Sequence, residues 1–166
     1  MDADDGFEEF YRTSRHRVVT VLYALSGDMT EAQDAAQEAY VRAWQRWERI
    51  SEYGDPEAWV RTVGHRLLIN RWRKIRNGVA AFRRHGAGPA VEPPSENTVA
   101  LVAALRRLPV DQRQAIVLHH LADLSVAEIA GQTNTPTGTI KARLARGRRA
   151  LADLLDTTLP EEVINA

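Results

Sequence analysis

The sequence contains no cysteine among its 166 residues. This absence excludes disulfide bonds, thiolate zinc sites, iron–sulfur clusters and cysteine nucleophiles from the chain. No apolar run approaches the roughly 20 residues that a membrane-spanning helix requires. The opening Met-Asp-Ala-Asp-Asp is acidic, unlike the basic start of a secretory leader, so we expect a soluble, cytoplasmic protein.

The sequence also lacks the alternation of apolar and polar residues that is typical of half-buried strands. Apolar residues make up 44% of the chain, which is a globular rather than a disordered composition. Apolar spacing predicts helices over residues 7–25, 30–50, 56–77, 98–108 and 111–121, followed by two shorter helices. In the second helix, Ala36, Tyr40, Ala43, Trp44 and Trp47 are predicted to face inward. We therefore predict an all-α fold.

Glycine and proline concentrate in one internal segment, residues 78–97, which contains three of each. Such residues interrupt helical periodicity. We interpret this segment as a flexible linker between an N-terminal domain (residues 1–77) and a C-terminal domain (residues 98–157). Residues 158–166 are predicted to form a short tail.

Charge is segregated along the chain, although 22 basic and 22 acidic residues give a formal net charge of zero. Basic residues dominate residues 41–86 and 106–151, whereas acidic residues dominate the first 40 residues and the end of the chain. Two basic blocks on either side of a linker indicate two separate, salt-sensitive contacts with one polyanion.

The second basic block has the pattern of a helix-turn-helix. Ser125 is predicted to cap the first helix, and Glu128 completes the capping box three residues later. Asn134 tolerates the left-handed backbone that a sharp turn requires. Thr135 and Pro136 suit the cap and the first position of the second helix.

The second helix of this pair carries a dense cationic surface. Ile140 and Leu144 form its predicted buried stripe, so the other positions face outward. The outward cations are Lys141, Arg143, Arg146, Arg148 and Arg149. Phosphates and guanine edges are natural partners for them, although a solvated amphipathic helix is the alternative.

A second cationic helix is predicted before the linker, over residues 56–77. Trp59, Val63 and Leu67 form its apolar stripe. The remaining surface carries Arg61, Arg66, Asn70, Arg71, Trp72, Arg73, Lys74 and Arg76. An aromatic ring between cations can stack on a base while the cations hold the backbone, which favours nucleic-acid binding. The alternatives are that these cations neutralise the acidic first helices and that Trp72 belongs to the core.

Two other classes of function are compatible with parts of the chain. His119, His120 and Asp123 suggest a metal or acid–base site, because His119 and Asp123 lie one helical turn apart. Adjacent histidines point about 100° apart on a helix, however, which argues against an enzyme. A stand-alone helix-turn-helix repressor explains the C-terminal cations but not those of residues 56–77.

Three motifs follow one another in an order that is specific to one family. They are Asp-Ala-Ala-Gln-Glu-Ala-Tyr-Val-Arg-Ala-Trp at 34–44, Pro-Glu-Ala-Trp-Val at 56–60 running into Asn-Arg-Trp-Arg-Lys at 70–74, and Leu-Pro-Val-Asp-Gln-Arg-Gln-Ala-Ile-Val at 108–117 before the helix-turn-helix. Over nearly its whole length the chain resembles the extracytoplasmic-function (ECF) sigma factors, the compact two-domain promoter-specificity subunits of bacterial RNA polymerase. The resemblance implies a factor that binds core polymerase, recognises and melts promoter DNA and directs transcription initiation. It also implies that the protein is not an enzyme and needs no cofactor.

The resemblance also implies three groups of site residues. The second helix is expected to dock on the clamp coiled coil of the polymerase through Asp34, Gln37, Glu38 and Arg42. Residues 51–55 and the helix that follows are expected to capture a base of the minus-ten element, with strand contacts from Arg61, Arg66, Asn70, Arg71, Arg73 and Lys74. The last helix is expected to read the minus-thirty-five element, with Lys141, Ala142, Ala145 and Arg146 toward the bases and Thr139, Arg143, Arg148 and Arg149 toward the phosphates.

The chain departs from the family pattern at positions that bear on specificity. Thr133, Asn134 and Thr135 stand where Leu-Gly-Ile is common in the turn, and Arg66 stands where a smaller polar residue is common. The expected partners are core RNA polymerase (clamp coiled coil and flap), promoter DNA and an anti-sigma factor, without membrane insertion.

Overall fold

The computed structural model describes residues 3–78 and 92–158, and the side chains of residues 5–78 and 92–156. These residues form α-helices and one π-helical turn and contain no β-strand, which confirms the predicted all-α fold. The chain divides into two compact units, Met1–Pro93 and Pro94–Ala166. Most of the predicted linker, residues 79–91, and the predicted tail beyond residue 158 lie outside the described residues.

The N-terminal unit contains four helices. They are α1 (Ala3–Ser26), α2 (Met29–Gln45), α3 (Trp47–Ile50) and α4 (Pro56–Arg76). The C-terminal unit contains α5 (Glu96–Arg106), α6 (Val110–Ile116), the π-helical turn Val117–Leu121, α7 (Val126–Thr133) and α8 (Thr137–Thr158).

Helices α1, α2 and α4 pack around an alanine face on α2. Ala32, Ala35, Ala36, Ala39 and Ala43 are at most 2% exposed. Small side chains let the neighbouring helices approach closely, and α1 and α4 fill the remaining space with larger apolar side chains. A Cβ added at Gly64 of α4 would lie only 2.7 Å from Leu22 Cδ1 of α1. The spacing of these helices therefore depends on small residues at the contacts.

Two aspartates cap the helices that carry the predicted site residues. The carboxylate of Asp55 accepts a hydrogen bond from Ala58 N at 3.0 Å, which confirms the predicted start of α4. Helix α2 begins at Met29, one residue before the predicted start, because Asp28 caps it by accepting from Glu31 N at 3.1 Å. Gly27, with a φ of 71°, reverses the chain just before Asp28 and so starts the helix earlier.

The single helix predicted over residues 30–50 is broken at Arg46. The two indoles on either side of the break differ in burial. Trp47 packs against Phe10, with ring centroids 4.9 Å apart, whereas Trp44 is 57% exposed. The expectation that Trp44 faces inward was therefore wrong, because this residue lies one turn after buried Tyr40 in the same helix and lines an open groove. The short helix α3 also brings Ile50 into the core.

In the C-terminal unit, α8 lies directly on α6. A Cβ added at Gly147 of α8 would lie 2.9 Å from Ile116 Cγ1 of α6. The helix predicted over residues 111–121 is α-helical only as far as Ile116 and then widens into the π-helical turn, where Ala122 N donates to Val117 O at 3.1 Å. Leu118, Ile129 and Ile140 are buried beside this contact.

The helix-turn-helix is formed by α7 and α8. Ser125 Oγ accepts from Glu128 N at 3.1 Å, and Asn134 adopts the left-handed conformation with a φ of 50°, as predicted. The predicted cap at Thr135 was one residue early. Thr135 Oγ1 donates instead to Thr133 O at 3.1 Å, and α8 begins at Thr137 after the carbonyl of Pro136, which accepts from Ile140 N.

The contact at Gly147 makes a testable prediction about stability. Gly147→Ala gains helix propensity but pushes a methyl group into Ile116, so we expect a net loss of about 1–3 kcal/mol in the free energy of unfolding. Gly131→Ala on α7 is the matched control, because nothing lies within 4 Å of its Cβ position. It should gain about 0.5–1 kcal/mol. Urea unfolding followed by circular dichroism measures both, and a gain for both variants would contradict the close contact.

Buried His65 on α4 makes a prediction about pH. Burial, with a smaller contribution from Arg66, lowers the pKa of His65 from 6.5 to about 4. Between these pH values the unfolded chain binds a proton that the folded chain does not, so stability is complete above pH 6.5 and falls as pH decreases. The loss reaches about 3 kcal/mol near pH 4.

The four tryptophans, Trp44, Trp47, Trp59 and Trp72, all lie in the N-terminal unit, so urea unfolding followed by tryptophan fluorescence reports on that unit. His65→Gln should lose this part of the pH dependence, whereas His16→Gln, at an exposed position on α1, should keep it. Equal pH dependence in the two variants would show that His65 is not its source.

Candidate nucleic-acid interface

Helix α2 presents a polar face beside its alanine face. Gln37 and Arg42 are exposed and Glu38 is partly exposed, as a docking surface requires. Asp34 is only 9% exposed, so the expectation that it lies on the surface was wrong. It falls between Glu31 and Glu38 on the side of α2 that contacts α4, where the neighbouring helix covers it.

Two acidic side chains of α2 hold two consecutive residues of α4. Glu38 Oε1 accepts from Arg42 Nη2 at 2.6 Å, and Glu38 Oε2 accepts from Arg71 Nη2 at 3.3 Å. One residue further along α4, Trp72 Nε1 donates to Glu31 Oε2 at 3.2 Å. Trp72 is thus half-buried, with its indole N–H bonded to α2. It is neither fully in the core nor fully exposed for base stacking, the two alternatives that the sequence left open.

The exposed cations of α4 lie toward its C-terminal end. Arg66, Asn70, Arg73 and Lys74 are exposed, and Arg71 is partly covered by its contact with Glu38. Arg61 is 9% exposed, which corrects the expectation that it lies on the surface. Arg61 precedes Gly64, His65 and Leu68 at helical spacing, so it shares their buried face.

Sequence reasoning did not single out two exposed apolar features of the N-terminal unit. Tyr53 is exposed in the turn between α3 and α4, the turn in which the resemblance expects base capture. Trp44 and Val41 are exposed at an apolar groove between α1 and α2. An aromatic residue in a Gly/Asp-containing turn was a usable signal for Tyr53. Nothing in the helical pattern distinguished Trp44 from a core residue.

Helix α8 presents most of its predicted cations to solvent. Thr139, Lys141, Ala145, Arg146, Arg148 and Arg149 are exposed, whereas Ala142 and Arg143 are partly buried. Arg143 Nη2 lies 3.6 Å from Asp111 Oδ2 of α6. Arg148 Nε donates to His120 Nε2 at 3.0 Å. Two of the four residues predicted on the phosphate side are therefore held by side chains that precede the helix-turn-helix.

The two adjacent histidines have structural contacts. His119 Nδ1 lies 2.7 Å from the Leu124 carbonyl oxygen, and His120 accepts the bond from Arg148. Burial, then the positive charge of Arg148, lowers the pKa of His120. Among the residues that the structure describes, no three His, Cys, Asp or Glu side chains form a group able to hold a metal ion. The metal-site alternative thus finds no support in these ranges.

Both units match known sequence families. Residues 10–77 match Sigma-70 region 2, and residues 98–151 match Sigma-70, region 4. The ECF RNA polymerase sigma factor SigL of Mycobacterium tuberculosis is 34% identical to this chain over 82% of each chain. The ECF RNA polymerase sigma factor SigW of Bacillus subtilis is 27% identical over 89% of this chain and 87% of SigW.

A solved structure has the same fold. The sigma factor RpoE from Bartonella quintana, solved in complex with the anti-sigma factor NepR, matches with a TM-score of 0.70. The match covers 91% of this chain and 97% of RpoE at 24% sequence identity, so it bears on the fold alone. Within the described ranges, no helix is both long and apolar enough to span a bilayer.

Proposed function

This chain belongs to the extracytoplasmic-function sigma factors of bacterial RNA polymerase, and from that membership we propose how its two units divide the work of promoter recognition. The family membership makes it a promoter-specificity factor that directs transcription initiation. Sigma factors are initiation factors rather than catalysts. We assign polymerase docking and the minus-ten element to residues 1–77, and the minus-thirty-five element to residues 98–157.

The N-terminal assignment is supported by two neighbouring polar surfaces. On α2, the exposed Gln37 and Arg42 and the partly exposed Glu38 form the proposed docking surface for the clamp coiled coil. On α4, the proposed strand contacts are Arg66, Asn70, Arg73 and Lys74, joined by Arg71. Buried Asp34 and Arg61 act indirectly in this proposal, by supporting the helix packing beneath these surfaces.

The C-terminal assignment rests on one observation. The second helix of the helix-turn-helix exposes Lys141, Ala145, Arg146 and Arg149, while Ile140 and Leu144 seat it in the core. A helix presented in this way can enter the major groove, where arginine and lysine recognise guanine edges and an alanine methyl contacts thymine. Thr139, Ala142, Arg143 and Arg148 complete the proposed surface, the two arginines from positions tied to Asp111 and His120.

The proposed partners are core RNA polymerase, promoter DNA and an anti-sigma factor. The last is proposed because the sigma factor RpoE, which has the same fold, was solved in complex with the anti-sigma factor NepR. We further propose that the factor acts in the cytoplasm, where its polymerase and promoters are found.

Run-off transcription tests the function directly. We expect core RNA polymerase to initiate at a defined set of starts, on a pool of promoter fragments from the same genome, only when this protein is added. The shared elements upstream of those starts identify what each unit reads. Tight binding to duplex DNA without any initiation would instead support the stand-alone repressor.

Arg146 provides a test of base reading. Arg146→Ala should weaken initiation by about 1–3 kcal/mol and relax selectivity at one position of the minus-thirty-five element, because a bidentate contact to a base edge is lost. Arg149→Ala, an exposed cation on the proposed phosphate side, is the matched control and should weaken all sequences alike. Initiation from a panel of single-base promoter variants measures both effects. A uniform loss for Arg146→Ala would reassign it to phosphate.

A further inference from the structure

The carboxylate of Glu38 is shared between two arginines to which the proposed function gives different partners. Its Oε1 accepts from Arg42 of the same helix at 2.6 Å, and its Oε2 accepts from Arg71 of α4 at 3.3 Å. Arg42 belongs to the proposed polymerase-docking surface, and Arg71 belongs to the proposed strand-binding surface. One side chain therefore connects the two surfaces.

The contact with Glu38 leaves Arg71 less exposed than the other cations proposed to bind the strand, Arg66, Arg73 and Lys74. The Arg71 side chain is 27% exposed, and the following residue, Trp72, is bonded to Glu31 of α2. Glu31 and Glu38 lie seven residues apart, about two helical turns, so both project from the same side of α2. They bond to the consecutive residues Trp72 and Arg71 of α4. Arg73, in contrast, is exposed.

A guanidinium bonded to a carboxylate is a poorer ligand for phosphate than a solvent-facing one. Both anions use the same N–H donors, so phosphate must displace the carboxylate or accept its repulsion. The same carboxylate can alternatively accept from a cationic side chain of a docked protein. A docked protein that supplied such a side chain would compete with Arg71 for Glu38, just as a DNA strand would compete with Glu38 for Arg71.

We propose that Glu38 masks Arg71 in the free protein and that docking of core polymerase on Glu38 releases Arg71 to bind the single strand of the minus-ten element. This inference rests on the proposed function of the two surfaces. The coupling is reciprocal, because a strand that occupies Arg71 leaves Glu38 free for polymerase. Because the ion pair between Glu38 and Arg71 is partly exposed, we expect the coupling to change each binding affinity by about two- to fivefold.

The test measures binding of the free, full-length protein to single-stranded DNA. The probe is a short fluorescein-labelled non-template strand that spans the minus-ten element of a promoter active in the run-off assay, and fluorescence anisotropy at low salt gives the affinity. Glu38→Gln preserves the shape of the side chain and removes its charge. We expect it to bind the strand about two- to fivefold more tightly than the wild type.

The decisive comparison is the same substitution without Arg71. Removing any acidic residue strengthens DNA binding through long-range electrostatics, and such a gain would persist in an Arg71→Ala background. If Glu38 masks Arg71, Arg71→Ala should weaken strand binding, and adding Glu38→Gln to that variant should not increase its affinity for the strand. Arg73→Ala is the matched control, since it removes an exposed cation of the same helix, and there the gain from Glu38→Gln should remain.

The competing results are distinct. No gain from Glu38→Gln, or the same gain with and without Arg71, overturns the masking. The masking is also overturned if the strand binds the polymerase-bound protein but does not bind the free Glu38→Gln variant. If Arg71→Ala and Arg73→Ala change neither strand binding nor initiation, the proposed strand surface is wrong. If Glu38→Gln and Arg42→Ala leave polymerase affinity unchanged, the proposed docking surface is wrong and the masking falls with it.

Discussion

The close packing of α1 and α4 against the alanine face of α2 determines which side chains meet in the N-terminal unit. Ala35, Ala39 and Ala43 leave so little space that α4 lies within reach of the acidic side chains on the edge of α2. At this separation Glu31 reaches Trp72 and Glu38 reaches Arg71. The contact between the proposed docking and strand-binding surfaces is thus a consequence of helix spacing, which small residues set.

In the C-terminal unit, too, a small residue allows two helices to pack closely. Gly147 lets α8 lie on α6, and from that position α8 turns its exposed cations away from the core. The same approach places Arg143 beside Asp111 and Arg148 beside His120. His120 limits the orientations of the long Arg148 side chain before DNA arrives, which lowers the entropy lost on binding, whereas the Asp111 carboxylate competes with phosphate for Arg143.

Three errors of sequence reasoning share one cause. Asp34 and Arg61 were expected on the surface because they are charged, yet each lies on a helix side that a neighbouring helix covers. Trp44 was expected in the core because it is large, apolar and correctly spaced, yet more than half of it stays exposed at the groove between α1 and α2. Residue type and period describe one helix at a time, and burial depends on where the other helices lie.

Much of the fold could be predicted from the sequence because it depends on local interactions. The cap at Asp55, the left-handed turn at Asn134 and the all-α class all follow from bonds within a few residues, and the order of the motifs identified the family. Tertiary packing alone decided that Glu38 meets Arg71, 33 residues away, and that Arg148 meets His120. Such contacts join residues far apart in the chain, and no periodicity within either helix specifies them.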